Sequence, residues 1–393
     1  MEIFSYLRPS NSDHPVHRRN LLRVALVCRF FCSVMLPWIF ECMEFSGKSS
    51  NGSRVLGNYA PFCRSILHGR GSARTMASYV KRCAFSDWID ILDQNPSPSS
   101  WYTEFQTLYS RALAFMPNVE ELVLTDVGIN RPLLKSIMKL KCLTSLSLEY
   151  SFIGQAKGRD IRILSHLRLK HLRFFPLSPF YLGMFVTDDS CAISGLFCLD
   201  SLLTLHTSYW PLVERIAEQK CDLPLQDLEI LDSDDSYTPD LLPEIFKKMP
   251  ALKRLRIFSE TSQYDVHFDN LLPALDGLRC PLSLLRSLVP GRPISNIDIT
   301  TSLLTEVFDI PPLLKKSTAK IHTLSVPTHV YQMNPFWEHF PNLKSLRLHC
   351  APDYLRSFCS FNELSLKLVF ANLFFCVIEC ELKCTCIVSF IYQ

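Results

Sequence analysis

The sequence predicts an α/β solenoid, with a parallel inner sheet and outer helices, preceded by a small all-α region. Two observations predict it. A short apolar pattern recurs through most of the 393 residues, and a nearly continuous apolar stretch lies close to the start. The length allows two domains or one extended array of repeats, and 48% hydrophobic residues can form a sizeable core.

The apolar stretch, residues 20–45, reads NLLRVALVCRFFCSVMLPWIFECMEF. Because Arg23 and Arg29 interrupt it, it is not expected to span a membrane. Helical spacing predicts one helix that Pro37 ends, with two apolar sides. The first side holds Leu21, Val24, Ala25, Cys28, Phe31, Cys32 and Met35, and the second holds Leu22, Leu26, Val27, Phe30 and Val34. Such a helix is either enclosed in a larger domain or covered by a partner protein.

Residues 46–115 are predicted to link this region to the array and to cap it. The segment begins with the turn-rich sequence SGKSSNGS. One or two short helices are expected within residues 55–83, a strand at residues 79–85, and a helix at residues 102–115.

The array is predicted at residues 116–350 from a unit with three apolar positions, separated by two residues and then by one. Its starts lie 22 to 30 residues apart, with one gap of 42 between Leu252 and Ile294. The phrases FMPNVEELVL, KMPALKRLRI and HFPNLKSLRL are near copies. The copies begin at Val119, Leu143, Leu169, Leu199 (a blurred copy), Leu225, Leu252, Ile294, Ile321 and Leu343.

A period of 20 to 29 residues is typical of leucine-rich repeats, so the array is identified as a leucine-rich-repeat solenoid. Each unit is expected to supply one strand of the inner sheet, with outer helices at residues 132–138, 212–218, 241–249 and 303–308. An ordinary α/β domain with buried parallel strands is the alternative, but it does not explain the repeated phrase. The tail, residues 351–393, abandons the pattern, and either caps the array or reflects a misjudged gene boundary.

The sequence gives no sign of catalysis. It lacks the phosphate loop GxxxxGK[ST], the nucleophile motif GxSxG and the zinc motif HExxH, so no enzyme, catalytic residue, metal or cofactor is expected. A net charge of +3 without a basic run argues against nucleic-acid or membrane binding. The 16 cysteines are expected to be reduced, and Cys28, Cys142 and Cys198 to be buried.

Residues 1–45 resemble an F-box in the order and spacing of three segments: IFSYL from Ile3, LLRVALVCRFF from Leu21, and LPWIF from Leu36. The leading Leu-Pro segment of the family is absent, which is interpreted as truncation, with weakened adaptor binding as the alternative. The resemblance, with the style of fungal F-box families, implies a substrate receptor of an SCF-type ubiquitin ligase in the cytoplasm or nucleus. It would contact a Skp-family adaptor, and through it a cullin, with Ile3, Phe4, Leu7, Leu22, Leu26, Val27 and Phe30.

Two further interpretations remain open. One is a leucine-rich-repeat scaffold whose F-box is degenerate and has no ligase role. The other is a nonfunctional or misannotated gene product, to which both unusual ends give weight.

The target protein, whose identity the sequence does not give, is expected to bind the concave face. Strand side chains alternate, so the third and fifth positions of each unit point away from the stacked apolar residues. They form an acidic step, Asp227 and Glu229, beside a basic step, Arg254 and Arg256. We expect these four residues to recognise a partner with the opposite pattern of charge. The alternatives are solvated side chains, with recognition by loops or by residues 258–293.

Overall fold

The structure of the chain is a computed structural model. It describes residues 15–47, 59–88, 100–153, 164, 166–176, 197–231, 239–258, 268, 270–300, 310–327, 339–350 and 376–380. The chain divides into two compact units, unit 1 (Met1–Leu202) and unit 2 (Leu203–Gln393). In the described parts of both, short strands pair in parallel, in chain order, and helices occupy several of the connections.

Unit 1 begins with a helix pair and continues as a sheet. Its helices are α1 (Pro15–Ala25), α2 (Arg29–Ile39), α3 (Ala60–His68), α4 (Ala73–Ala77), α5 (Ser100–Leu113) and α6 (Arg131–Ile137). Its strands are β1 (Cys42–Ser46), β2 (Arg82–Ser86), β3 (Glu121–Thr125), β4 (Gly128–Ile129), β5 (Ser145–Ile153) and β6 (His171–Pro176). The sheet order is β1-β2-β3-β5-β6, and the two-residue β4 pairs with β5.

Unit 2, in its described residues, alternates parallel strands with short helices. Its helices are α7 (Trp210–Ala217), α8 (Leu242–Lys247, after a 3-10 turn at Pro239–Leu241), α9 (Leu282–Leu288) and α10 (Ile310–Leu314). Its strands, adjacent in chain order, are β7 (Thr204–Thr207), β8 (Asp227–Leu231), β9 (Arg254–Phe258), β10 (Gly277–Cys280), β11 (Asn296–Ile299), β12 (Thr323–Pro327), β13 (Ser345–Cys350) and β14 (Cys376–Cys380).

The same hydrogen-bond pattern precedes strands in both units. In unit 1, the carbonyl of Glu120 accepts the amides of Thr144 and Ser145 at 2.9 and 3.0 Å. In unit 2, the carbonyl of Gln226 likewise accepts the amides of Lys253 and Arg254 at 2.9 and 3.0 Å. Because one carbonyl links a strand to the next in register, successive repeats stack on one another within each unit. This confirms the predicted α/β fold of leucine-rich-repeat type.

The repeats are more numerous than the sequence pattern predicts. In unit 1, β1 and β2 bury Met43, Phe45, Cys83 and Phe85 with the register Cys42↔Arg82. The sequence predicts β2 as a strand but neither β1 nor β2 as a repeat, because their starting residues, Phe40 and Val80, are about 40 residues apart, which exceeds the period of ordinary leucine-rich repeats.

The long gap in unit 2 also contains a repeat. Leu275, Leu278 and Cys280 are buried at the three apolar positions, and β10 pairs with β9 and β11. The blurred copy placed at Leu199 starts instead at Leu202, because Leu205 and Thr207 are the buried residues of β7. A cysteine and a threonine at the last position obscured both repeats in the sequence.

The apolar stretch at the start forms two helices rather than one. The chain leaves the helical conformation at Cys28, whose φ and ψ are −159° and 168°. Pro37 does not end α2, since the amide of Phe40 still donates to the carbonyl of Leu36 at 3.1 Å. The predicted all-α region of residues 1–45 also ends early, because β1 begins at Cys42 and belongs to the repeat sheet.

Several other predicted elements can be located. The short helices and the strand expected within residues 55–85 correspond to α3, α4 and β2, and the helix expected at 102–115 corresponds to α5. The helices at 132–138, 212–218 and 241–249 correspond to α6, α7 and α8. Residues 303–308 lie outside the described residues. Of the tail, residues 351–393, only 376–380 are described, as a strand parallel to β13.

A buried arginine holds together the turn that follows α9. The guanidinium of Arg292 donates to the carbonyl of Leu271 at 2.7 Å and to those of Leu288 and Ser287 at 3.0 Å, and also contacts those of Pro290 and Phe268. Backbone carbonyls thus solvate a charge that burial removes from water.

The cysteines that are buried are not the ones expected. Cys28 and Cys142 are exposed and Cys198 is partly exposed, whereas Cys63, Cys83 and Cys280 are buried. Burial raises the pKa of Cys63 to about 12 and also raises the pKa of Cys83 and of Cys280. Among the described residues, no helix combines the length and the apolar character needed to cross a bilayer.

Candidate functional site

The turn between α1 and α2 presents four apolar side chains to solvent. We call Leu22, Leu26, Val27 and Phe30 the apolar tip; each is between 45 and 85% exposed. The opposite side of the helix pair is a core of Leu21, Ala25, Met35 and Ile39, with further apolar neighbours packed on it. The helix pair therefore already has its own core, and the residues of the apolar tip are not part of that core.

The break at Cys28 creates the apolar tip. In one continuous helix, Leu26 and Val27 would both lie along the second apolar side. Here they occupy the turn itself, and Leu26 donates its amide to Leu22 at 3.1 Å. Exposed apolar side chains are ordinary when scattered, but a group at one turn is typical of a protein-binding surface. Ile3, Phe4 and Leu7, predicted to share this surface, lie outside the described residues.

The second candidate lies in unit 2, on the face of the sheet that carries the residues between the repeat apolar positions. We call it the open face. There the structure brings together all four residues predicted for target binding and adds His206. We call these five residues the charged cluster: His206 on β7, Asp227 and Glu229 on β8, Arg254 and Arg256 on β9.

The two predicted steps pair with each other. Arg256 Nη1 lies 2.6 Å from Glu229 Oε2, and its Nη2 lies 3.0 Å from Asp227 Oδ2. Arg254 Nη2 lies 2.9 Å from the same Asp227 oxygen. The imidazole of His206 is 3.7 Å from Asp227 and 3.6 Å from Glu229, distances that allow electrostatic attraction but are too long for hydrogen bonds.

Asp227 is the buried centre of the charged cluster. Burial acts to raise the pKa of its carboxyl group, but His206, Arg256 and Arg254 together outweigh it and lower that pKa. Asp227 therefore stays ionised and anchors both arginines. Its buried carboxylate cannot itself reach a partner.

Sequence reasoning missed two ionisable members of the open face, His206 and Arg279. His206 was hidden by the misplaced repeat at Leu199, and Arg279 by the unrecognised strand β10. Arg279 Nε lies 3.2 Å from Asp298 Oδ2, and its guanidinium carbon lies 4.3 Å from the centre of the Phe258 ring. The signal available in the sequence was the alternation of Leu278, Arg279 and Cys280, in which two apolar residues flank a charged one, as expected of a strand.

No metal centre is found in the parts of the chain that the structure describes, where no three His, Cys, Asp or Glu side chains are placed to hold one ion. In the charged cluster, the carboxylates of Asp227 and Glu229 are paired with the guanidinium groups of Arg254 and Arg256. Its arrangement suits binding of a charged partner.

Comparison with known proteins gives likenesses of fold only. No family model matches the sequence, and no curated protein does. Among solved structures, an internalin (InlF) of Listeria monocytogenes is 12% identical with a TM-score of 0.35, covering 77% of this chain and 92% of its own. The Drosophila Toll–Spatzle complex is 9% identical with a TM-score of 0.30, covering 87% of this chain and 55% of its own.

Proposed function

We propose that this protein is the substrate-recognition subunit of an SCF-type ubiquitin ligase. In this proposal the apolar tip docks on a Skp-family adaptor, which connects the chain to a cullin, and the repeats bind a target protein. The observation that carries the proposal is the exposure of Leu22, Leu26, Val27 and Phe30 in a helix pair that already has a core. These four residues also occupy the adaptor-contacting positions implied by the F-box resemblance.

The physical support is the cost of leaving such side chains in water. Covering apolar surface gains about 25 cal/mol per Å², and large apolar side chains at the centre of an interface can each contribute about 2 kcal/mol or more. Phe30 and Leu26 are the largest contributors by size and exposure. An adaptor that covers the turn would bury all four together.

The repeats supply the second requirement of a receptor, a surface for the target. A receptor needs no chemistry of its own, because holding a target near a ubiquitin-conjugating enzyme raises its effective concentration. We place this role in the cytoplasm or nucleus, where ubiquitin ligases of this class act. No cofactor is required for it.

A second candidate is a repeat scaffold that recruits no ligase. The observation that favours it is the position of β1, which begins at Cys42 directly after α2 and pairs in the repeat sheet. In this alternative the helix pair is a terminal cap of unit 1, and the apolar tip binds some other protein.

The test is capture of a Skp-family adaptor and its cullin by the full chain. The variant Leu22→Asp/Phe30→Asp should reduce capture at least tenfold, because it places two charges in the apolar tip. A matched control is Met138→Asp/Tyr150→Asp, which alters two other exposed apolar residues of unit 1 and should capture normally.

Both variants must retain the urea-unfolding curve of the parent protein. Equal capture by the two variants would contradict docking through the apolar tip. A folded parent chain that captures neither adaptor nor cullin would favour the scaffold.

A further inference from the structure

The open face of unit 2 places two arginines side by side at its centre. Register pairs Glu229 on β8 with Arg256 on β9, Arg256 with Arg279 on β10, and Arg279 with Asp298 on β11. Neighbouring strands are about 4.8 Å apart, so the two guanidinium groups project from adjacent positions. Each is drawn outward toward its own carboxylate, Arg256 toward β8 and Arg279 toward β11.

The charges of the open face differ in depth, because its carboxylates are more buried than its guanidinium groups. The side chains of Asp227, Glu229 and Asp298 are only 4 to 24% exposed, whereas those of Arg254, Arg256 and Arg279 are 33 to 64% exposed. The numbers of positive and negative groups are equal, but the carboxylates lie beneath and the guanidinium groups lie above. An approaching molecule therefore meets the arginines first.

These arginines are held in place before any partner arrives. Arg256 is fixed by two carboxylates, and Arg279 is fixed by Asp298 and by the ring of Phe258. The stem of Arg254 lies over Gly277, where an added Cβ would come within 3.2 Å of its Cγ. Restricted side chains lose less entropy on binding, which favours affinity.

The arginines also keep donors for a ligand. A guanidinium has five N–H groups, and among the described residues the carboxylates engage Nη1 and Nη2 of Arg256, Nη2 of Arg254 and Nε of Arg279. The remaining groups suit carboxylate or phosphate oxygens, which arginine binds in pairs.

We propose that the open face of unit 2 binds an acidic peptide segment through Arg254, Arg256 and Arg279. A peptide fits better than a nucleic acid, because the chain carries a net charge of only +3 and its sequence has no basic run. The inference revises the expected partner from one of alternating charge to one that is acidic. As an account of target choice it rests on the proposed function; as a binding property it is measured separately.

The experiment measures fluorescence anisotropy of labelled peptides with the full chain. The probes are a Glu-Gly repeat peptide, the matching Gln-Gly peptide, and a Gln-Gly peptide with one phosphoserine. A single-stranded oligonucleotide of the same charge as the Glu-Gly peptide is the fourth probe. The variant Arg254→Gln/Arg279→Gln is compared with Arg286→Gln/Lys320→Gln, which removes the same charge from exposed positions of unit 2 away from the charged cluster.

We expect the Glu-Gly or the phosphoserine peptide to bind at least tenfold more tightly than the neutral one, and more weakly as salt rises. The arm that binds identifies carboxylate or phosphate as the preferred anion. The Arg254→Gln/Arg279→Gln variant should lose about tenfold in affinity, and the Arg286→Gln/Lys320→Gln control should stay within twofold. If the double variant fails to fold, Arg254→Gln alone serves, since Arg254 is the most exposed of the three.

Three results would overturn the inference. They are equal affinity for the neutral and the Glu-Gly peptides, unchanged peptide affinity in a folded Arg254→Gln/Arg279→Gln variant, or tighter binding of the oligonucleotide than of either acidic peptide. Adaptor capture is assayed in parallel without peptide. Lost peptide recognition with normal capture counts against this inference alone, and lost capture with normal peptide recognition counts against the ligase role alone.

Discussion

In the apolar tip, the side chains of Leu26 and Val27 are exposed to solvent, although Leu21 and Met35 of the same helix pair are buried. In the charged cluster, Asp227 is buried although it lies on the open face of the sheet, where Glu229 is partly exposed. The tip leaves its own apolar side chains uncovered, so changing them should alter binding more than folding. The cluster satisfies its own charges, so changing its centre should alter folding first. Exposure therefore separates residues that act on partners from residues that hold the chain together.

The largest effect on the free energy of unfolding is expected from substitution of Arg292. This substitution sharpens the comparison, because it removes a buried charge that is not part of the open face. Arg292→Met should lower the free energy of unfolding by about 3 kcal/mol or more, because several buried carbonyls lose a charged donor. Urea unfolding measures it, with Arg286→Met on the exposed side of α9 as the control. A loss below about 1 kcal/mol would mean that water replaces the guanidinium.

Asp227→Asn tests the charged cluster itself. We expect a loss of about 2 kcal/mol in the free energy of unfolding, because two arginines lose their shared buried anion. This value lies below that of a fully buried pair, since both guanidinium groups are partly exposed and screened by water. Urea unfolding of Asp227→Asn and of the control Asp222→Asn, an exposed aspartate of unit 2, measures the difference.

The pH dependence of the same variant checks the cause. The pKa of Asp227 is lowered in the folded protein, so its stabilisation is present above its unfolded pKa, about 3.9, and is lost as pH falls through the folded pKa. The Asp227→Asn chain should therefore lose less stability than the parent when the pH falls below about 4. Parallel acid limbs for the two proteins would contradict an ionised anchor.

The smallest effect on stability is expected in the apolar tip. Leu26→Ser/Val27→Ser should change the free energy of unfolding by less than about 0.5 kcal/mol, because both side chains are exposed. Met35→Ala, a deletion on the buried side of the same helix pair, should cost about 3 kcal/mol. Urea unfolding compares the two. If the serine variant costs as much as Met35→Ala, the apolar tip is part of a core.

The sequence predicted the repeats well where leucine, isoleucine, valine or phenylalanine fills all three apolar positions at the usual period, since stacked apolar residues leave few other arrangements. It failed where Cys280 and Thr207 take the last position, because their burial comes from neighbouring strands and not from their own hydrophobicity. It also predicted one helix across Cys28, where no glycine or proline signals a break. The extended conformation at Cys28 is a result of packing Leu21 and Ala25 against Met35 and Ile39.

The candidate sites were predicted as residues but not as arrangements. Spacing alone placed Asp227, Glu229, Arg254 and Arg256 on one face, because strand side chains alternate. It could not show that the carboxylates lie beneath the arginines, since that layering depends on how far each side chain extends. Arg279 could not be placed at all until β10 supplied its position beside Arg256.

The buried cysteine thiols allow local opening to be measured separately in each unit. Only a thiolate attacks an alkylating reagent, and burial raises the pKa of Cys63 in unit 1 to about 12 and raises that of Cys280 in unit 2. Both are therefore inert until the strands or helices around them separate, whereas Cys142 and Cys221 are open to reagent at once. Alkylation followed by peptide mapping would thus measure the rate of local opening in each of the two units independently. The exposed cysteines serve as internal references for the reactivity of the reagent.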